Sequence, residues 1–220
     1  MGIQVTVDLV IFSVQESALK VWLVKRDNRP FKGHLAIPER VINKNESLDQ
    51  AALRELKEET RARQVYVEQL YSFGDRKRDP RGRVVTVAYY ALLPGDQAKR
   101  VSPNGSGAAW RSVDALPPLV FDQKRIVNYA VERLRTKLEY TTAGFQLLPR
   151  KFTLSELQAV YETILGKKLD KRNFRKKMDL LGVLKPLREW RRTGRKPARL
   201  YMFKGKKFER LKDKGILFPF

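Results

Sequence analysis

Glu55, Glu58 and Glu59 stand at i, i+3 and i+4 within residues 47–60 (SLDQAALRELKEET), and no other feature of the chain restricts its fold as strongly. On an α-helix these three carboxylates leave one face close together. Like charges so placed repel, and the cluster is more easily held when a hard cation such as Mg²⁺ is shared between its oxygens. Arg54 beside them partly neutralises the same face, and Ser47 with Gln50 forms a capping box that starts the helix. The alternative is the solvated face of an ordinary amphipathic helix whose Leu48, Ala52 and Leu56 turn to a core.

Around this helix the chain alternates between strand-like and helix-like runs. Residues 4–12 and 19–25 are β-rich and are separated by polar Gln15, Glu16 and Ser17, which predicts neighbouring strands joined by a short turn. Residues 65–73 and 84–93 read as further strands, and 110–113 as a last short one. In 121–138, Ile126, Ala130, Leu134 and Leu138 recur every fourth residue and predict a second helix. Between two of the strands, Arg78-Asp79-Pro80-Arg81-Gly82-Arg83 gathers three guanidiniums around one aspartate in a Pro/Gly turn. Guanidiniums take phosphate through paired hydrogen bonds, and a pyrophosphate needs several donors at once. A solvated hairpin with a local Arg–Asp pair is the other reading.

Charge points to a polyanionic partner. Against 24 Asp+Glu the chain carries 46 Lys+Arg, a net +22, and residues 150–220 alone hold 22 basic and 7 acidic side chains. Such a basic end is the footprint of nucleic acid more than of a membrane, since the sequence has no long apolar run, no signal peptide and no basic amphipathic helix with an aromatic stripe. The absence of cysteine removes disulfides and thiolate metal sites and is compatible with a cytoplasmic protein.

The basic half begins near Pro149, which divides the chain into domains 1–147 and 148–220. Thr153 and Glu156 form a second capping box, opening a helix with Leu154, Leu157, Tyr161 and Ile164/Leu165 inward and Gly166 at its end. Asp170 caps the next helix, where Phe174, Met178 and Leu181 share one face while Lys171, Arg172, Arg175 and Lys176 point elsewhere. An apolar anchor opposite a cationic face is what a recognition helix needs, and Asn173 is the neutral side chain there able to make a two-point contact with adenine. A basic hairpin follows, with Arg191, Arg192, Thr193, Arg195 and Lys196 on a wing. A protein-docking winged helix with a merely soluble basic surface is the alternative.

Two resemblances sharpen these readings. Glu46 with Arg54, Glu55, Leu56, Glu58 and Glu59 resembles the Nudix box, and implies a Nudix-like α/β/α sandwich with a mixed sheet. Both glycines of that box are replaced, by Arg40 and Arg61, and Ile37-Pro38-Glu39-Arg40-Val41 stands where active members read roughly L-P-G-G-F. Glycine belongs where backbone approaches a ligand or takes φ > 0, so these changes bear on catalysis and leave the fold alone. The Arg78–Arg83 loop resembles that of the ADP-ribose-handling branch of the family, in which Phe121-Asp122-Gln123 takes the place of a Phe-Asp-His. Together with the basic winged helix, nearly the whole chain is similar to the NrtR family of Nudix-related transcriptional regulators.

What this resemblance implies is a homodimeric repressor on a palindromic operator, whose Nudix half senses ADP-ribose, a related nucleotide or a sugar. The effector would lie against Arg40, Arg54, Glu55, Glu59, Arg78, Asp79, Arg81 and Gln123. No cofactor is required on this reading, with Mg²⁺ on Glu55, Glu58 and Glu59 as an option. The competing hypothesis is a Mg²⁺-dependent Nudix hydrolase acting on ADP-ribose and carrying a nucleic-acid-binding tail. His34, the only histidine, and Trp22, Trp110 and Trp190 read as structural, with a contact to a sugar-phosphate edge as the alternative for Trp190 at the wing base.

Overall fold

A computed structural model describes residues 2–101, 107–138, 140–192 and 196–204. Strand β1 (Gln4–Gln15) runs through the middle of the first sheet, and its alternation serves two layers. Val7, Leu9 and Ile11 join one apolar cluster, and Val10 and Phe12 join the other. A strand covered on both faces reads as a near-continuous apolar run, here Leu9 to Phe12 with Val5 and Val7 before it, which is why β1 is so easily recognised. It continues into β2 (Ala18–Lys25) through Glu16 and Ser17, both left-handed with φ of 52° and 58°, as a type I′ hairpin requires.

After β3 (Leu35–Ala36) and β4 (Glu39–Val41) comes α1 (Leu48–Thr60), whose capping box between Ser47 and Gln50 forms as expected. Ala51, Ala52 and Leu56 bury against Val7, Leu9 and Ile11. β5 (Tyr66–Phe73) pairs antiparallel with β6 (Val84–Leu92), which runs parallel to β1 in register from Gln4↔Val84 to Phe12↔Leu92. A short helix α2 (Gly95–Ala98) leads to β7 (Ala109–Ser112), and α3 (Gln123–Leu138) covers the second face with Ile126, Val127, Ala130 and Leu134. The sheet order is β3-β2-β1-β6-β5, with β4 on β1 and β7 on β2, so both parallel and antiparallel pairs occur. This is the expected mixed sheet between helices.

The expected helix start at 121 moves to Gln123, because Phe121 sits at φ 52° outside the helical region. β3, β4 and α2 have no counterpart among the expected elements. Each is too short to show a periodicity.

In the basic half, β8 (Phe152–Thr153) precedes α4 (Leu154–Leu165) and α5 (Lys171–Leu181), and β9 (Leu184–Arg192) pairs with β10 (Pro197–Phe203) as a hairpin. The three strands order as β8-β10-β9, a winged helix. Phe174, Met178 and Leu181 are buried as their spacing predicts, and Gly166 and Gly182 end the helices at φ 68° and 57°. Both halves share one apolar cluster, in which Leu134 and Leu138 meet Phe145, Leu157 and Tyr161. Arg135 Nε donates to the Ile164 carbonyl at 2.8 Å, joining the last turn of α3 to the last turn of α4. No helix among the described residues is long and apolar enough to cross a membrane.

Candidate ligand cleft and nucleic-acid face

Strand β4 decides the chemistry of the cleft. Its antiparallel register sets Arg40 opposite Val7 and Glu39 opposite Asp8, and paired residues share a face. Arg40 therefore points to the α1 side, and Glu39 to the α3 side. Both positions are ordinary extended backbone, so glycine's replacement at these two positions left no strained backbone behind.

On the α1 side, Arg40 Nε donates to Glu55 Oε2 at 2.5 Å and its Nη2 to Glu58 Oε2 at 2.5 Å. Glu55 is only 3% exposed; burial raises its pKa, and the Arg40 guanidinium pulls it back down. Glu59 instead accepts the Trp22 indole N–H at 3.0 Å. Arg54, expected to neutralise the glutamates, forms a two-pronged bond to Glu46 at 2.6 and 3.1 Å and comes only within 3.9 Å of Glu58. Among the described residues no group of three or more His, Cys, Asp or Glu is placed to hold a metal. A shared Mg²⁺ does not fit, because the Arg40 fork already takes oxygens of Glu55 and Glu58 and Glu59 is turned to Trp22.

On the α3 side, Arg78 is buried and cross-links three elements. Its Nη2 reaches Asp8 Oδ2 of β1 at 3.2 Å and Asp122 Oδ1 ahead of α3 at 2.8 Å. The sequence pattern gathers Arg78, Arg81 and Arg83 around Asp79; in the fold only Arg81 pairs with it, at 2.5 Å, while Arg83 donates to the Gly74 carbonyl. Asp8 has no exposed surface, and desolvation first, then the nearby charge of Glu39, push its carboxyl up to about 8 against the opposing pull of Arg78. One guanidinium facing two carboxylates is balanced when one of them is protonated.

That shift makes stability depend on pH. Asp8 binds its proton in the folded state up to about pH 8 but loses it near 3.8 when unfolded, so its contribution is complete below 3.8 and fades as pH rises towards 8. Asp8→Asn is expected to remove a decline of up to about 1 kcal/mol per pH unit across that window. Urea midpoints of both proteins between mildly acidic and mildly alkaline pH measure it; parallel profiles would refute the assignment.

Glu39 accepts from Arg81 at 3.1 Å and Arg26 at 3.4 Å, and both guanidiniums lie over the Phe121 ring, at 5.3 and 4.9 Å. A cleft of about 530 Å³ opens here, lined by Arg26, Glu39, Arg40, Arg54, Glu55, Glu59 and Arg81. A second hollow of about 620 Å³ lies beyond Phe121, lined by Phe31, His34, Arg78 and Asp122. Sequence reasoning misses Arg26 and Phe31, because nothing in their local spacing marks them, whereas Glu39 and Phe121 lie in the two stretches that the resemblance singled out. His34, read as structural, is an exposed residue on the rim of the second hollow.

Gln123 departs from expectation. It is fully buried, and its Oε1 accepts the Ile37 N–H at 2.9 Å, so it braces α3 against the strand segment instead of facing a ligand. Asp79 is likewise buried beneath Arg81. Arg61, at the second replaced glycine, does occupy a left-handed position, closing α1 at φ 53°. Arg61→Gly is expected to raise stability by about 0.5–1 kcal/mol in thermal melts, because only glycine adopts that backbone without a Cβ clash.

In the winged helix, Lys171, Arg172, Asn173, Arg175 and Lys176 are all exposed on α5, as predicted. Lys171, Arg175, Lys196 and Arg199 line a hollow of about 430 Å³ with Thr153 and Ser155 at the start of α4. Four cations beside a helix N-terminus suit a phosphate. Arg192 is exposed, whereas Thr193 and Arg195 lie outside the described residues. Arg191 turns inward, to Glu156 at 2.7 Å and the Lys151 carbonyl at 3.1 Å. It braces the capping glutamate, so Arg191→Ala is expected to lower stability by about 0.5–1 kcal/mol while leaving the salt dependence of DNA binding unchanged in titrations. Trp190, read as packing, is 61% exposed at the wing base.

Known proteins share this two-part architecture. A NUDIX domain model matches residues 2–130, and an NrtR DNA-binding winged helix domain model matches 144–203. An ADPR responsive transcriptional repressor NtrR from Acinetobacter baylyi is 38% identical over 202 residues, covering 90% of this chain and 81% of the relative. Shewanella oneidensis NrtR, solved in complex with a 27mer DNA, superposes with a TM-score of 0.85 at 36% identity, over 93% of this chain and 95% of that one. The NUDIX domain of the same protein, solved with ADP ribose, is 37% identical over 61% of this chain and 90% of its own, with a TM-score of 0.53. With a Nudix fold and this winged helix matched along nearly its whole length, the chain belongs to the NrtR family of Nudix-related transcriptional regulators.

Proposed function

We propose that this protein is an ADP-ribose-responsive transcriptional repressor, with residues 1–147 as the sensing half and 148–220 as the DNA-binding half. The chain-long likeness to a repressor of that description carries the reading. The cleft supports it: Lys25, Arg26, Arg40, Arg54 and Arg81 line one cavity, the donors that a pyrophosphate needs. Arg40 on Glu55 and Glu58 weighs against the hydrolase alternative, since the carboxylates are committed to a guanidinium.

Helix α3 is the connecting element. Phe121 and Asp122 ahead of it face Arg26, Arg81 and Arg78, and Arg135 near its other end holds the α4 backbone. A ligand that displaces Phe121 or Asp122 shifts α3, and with it the winged helix. In a cytoplasmic homodimer, two winged helices would then lose their match to a palindromic operator. Such coupling is reciprocal, so operator DNA weakens effector binding by the same factor.

The test is fluorescence anisotropy of a labelled fragment from immediately upstream of this protein's own gene, with competitor DNA, with and without ADP-ribose. Release by ADP-ribose supports the reading. Binding indifferent to it keeps the regulator and transfers the effector role to another nucleotide or a sugar.

A further inference from the structure

We propose that Arg40 is a tethered cation that takes the place of a divalent metal on α1, so that this protein holds its effector without a metal. The effector part rests on the function proposed above; the metal part stands by itself.

Strand geometry aims the side chain. Because Arg40 pairs with Val7, whose side chain belongs to the α1-facing cluster, the same register directs the guanidinium at α1. There it meets Glu55 and Glu58, one helical turn apart, with one N–H on each at 2.5 Å. A carboxylate as buried as Glu55 needs a partner of opposite charge, and this chain supplies one covalently. Mg²⁺ demands oxygens close around it in an octahedron and keeps most of its water. The guanidinium fork uses oxygens of the same two carboxylates and repels a second cation at short range. The third carboxylate, Glu59, is held by Trp22 and does not complete a triad.

The arrangement suits a sensor. In this cleft Arg26, Arg40, Arg54 and Arg81 stand beside Glu39, Glu55 and Glu59, so a diphosphate finds donors without a metal bridge. Binding is then independent of metal concentration, and the carboxylates that would activate water are tied down.

The test measures Mn²⁺, as a probe of the Mg²⁺ position, by electron paramagnetic resonance of the free ion against full-length protein. Wild type is expected to show no Mn²⁺ site that depends on Glu55. Arg40→Ala is expected to gain one, binding Mn²⁺ about tenfold or more tighter than any residual binding to wild type, which Glu55→Gln in the same chain abolishes again. Circular dichroism first establishes that the variants fold. Should Arg40→Ala not fold, Arg40→Gln keeps a hydrogen bond to Glu55 without the charge and is expected to gain the same site.

A Glu55-dependent Mn²⁺ site in wild type, or none in the folded variant, would overturn the proposal. ADP-ribose titrations of wild type in EDTA and in Mg²⁺ form the second arm, with equal affinities expected. Metal-dependent binding would overturn metal-free recognition. Absence of ADP-ribose binding in both buffers would instead strike at the proposed effector and leave the Mn²⁺ result standing.

Discussion

Replacing Arg78 with alanine is expected to destabilise the protein by about 3 kcal/mol or more under mildly alkaline conditions, where Asp8 is losing its proton. The guanidinium is 3% exposed and faces Asp8, which is 0% exposed, so its removal strands a buried carboxylate. At lower pH Asp8 takes up a proton and the loss shrinks, leaving Asp122 as the deserted partner. Urea midpoints of wild type and variant at about pH 6 and about pH 8.5 measure both effects. Arg78→Lys is not expected to restore stability, because one ammonium cannot reproduce a fork that serves Asp8 and Asp122 together. Identical midpoints at both pH values would show that this cross-link contributes nothing net.

The second large effect concerns DNA. Arg175→Ala with Lys176→Ala is expected to weaken operator binding by roughly a hundredfold or more near physiological salt, since each such side chain on DNA is worth about 1–3 kcal/mol. Both side chains are exposed on α5, so thermal stability should stay within about 0.5 kcal/mol of wild type. The slope of log affinity against log salt should flatten by roughly 0.9 for each phosphate no longer neutralised. Weakened binding with an unchanged slope would mean that these residues read base edges and not phosphates. Unchanged binding would move the DNA face elsewhere on the winged helix. The contrast with Arg191, one of the wing cations but committed to Glu156, separates a DNA contact from a brace.

Much of the architecture is legible in the sequence because it is written locally. Both capping boxes, Ser47 with Gln50 and Thr153 with Glu156, form where their spacing places them. The apolar faces of α3 and α5 follow from periods of about four residues. The site is harder to read. Arg78 has the look of a phosphate ligand beside Asp79, and instead spans 70 residues to Asp8 and 44 to Asp122. Gln123 sits in the right stretch for a ligand contact, yet α3 begins with it and turns it into the core.

The longer elements, the two halves and the kind of partner follow from the order of residues, because capping, periodicity and charge are properties of neighbours along the chain. Which charge meets which is settled only when the sheet forms. Glu39 and Arg40 are adjacent and of opposite sign, and in a loop nothing would keep them from neutralising each other. In β4 the pleat sends them to opposite faces, one to Arg26 and Arg81, the other to Glu55 and Glu58. The register with β1 fixes those faces, and a slip of one residue would exchange them.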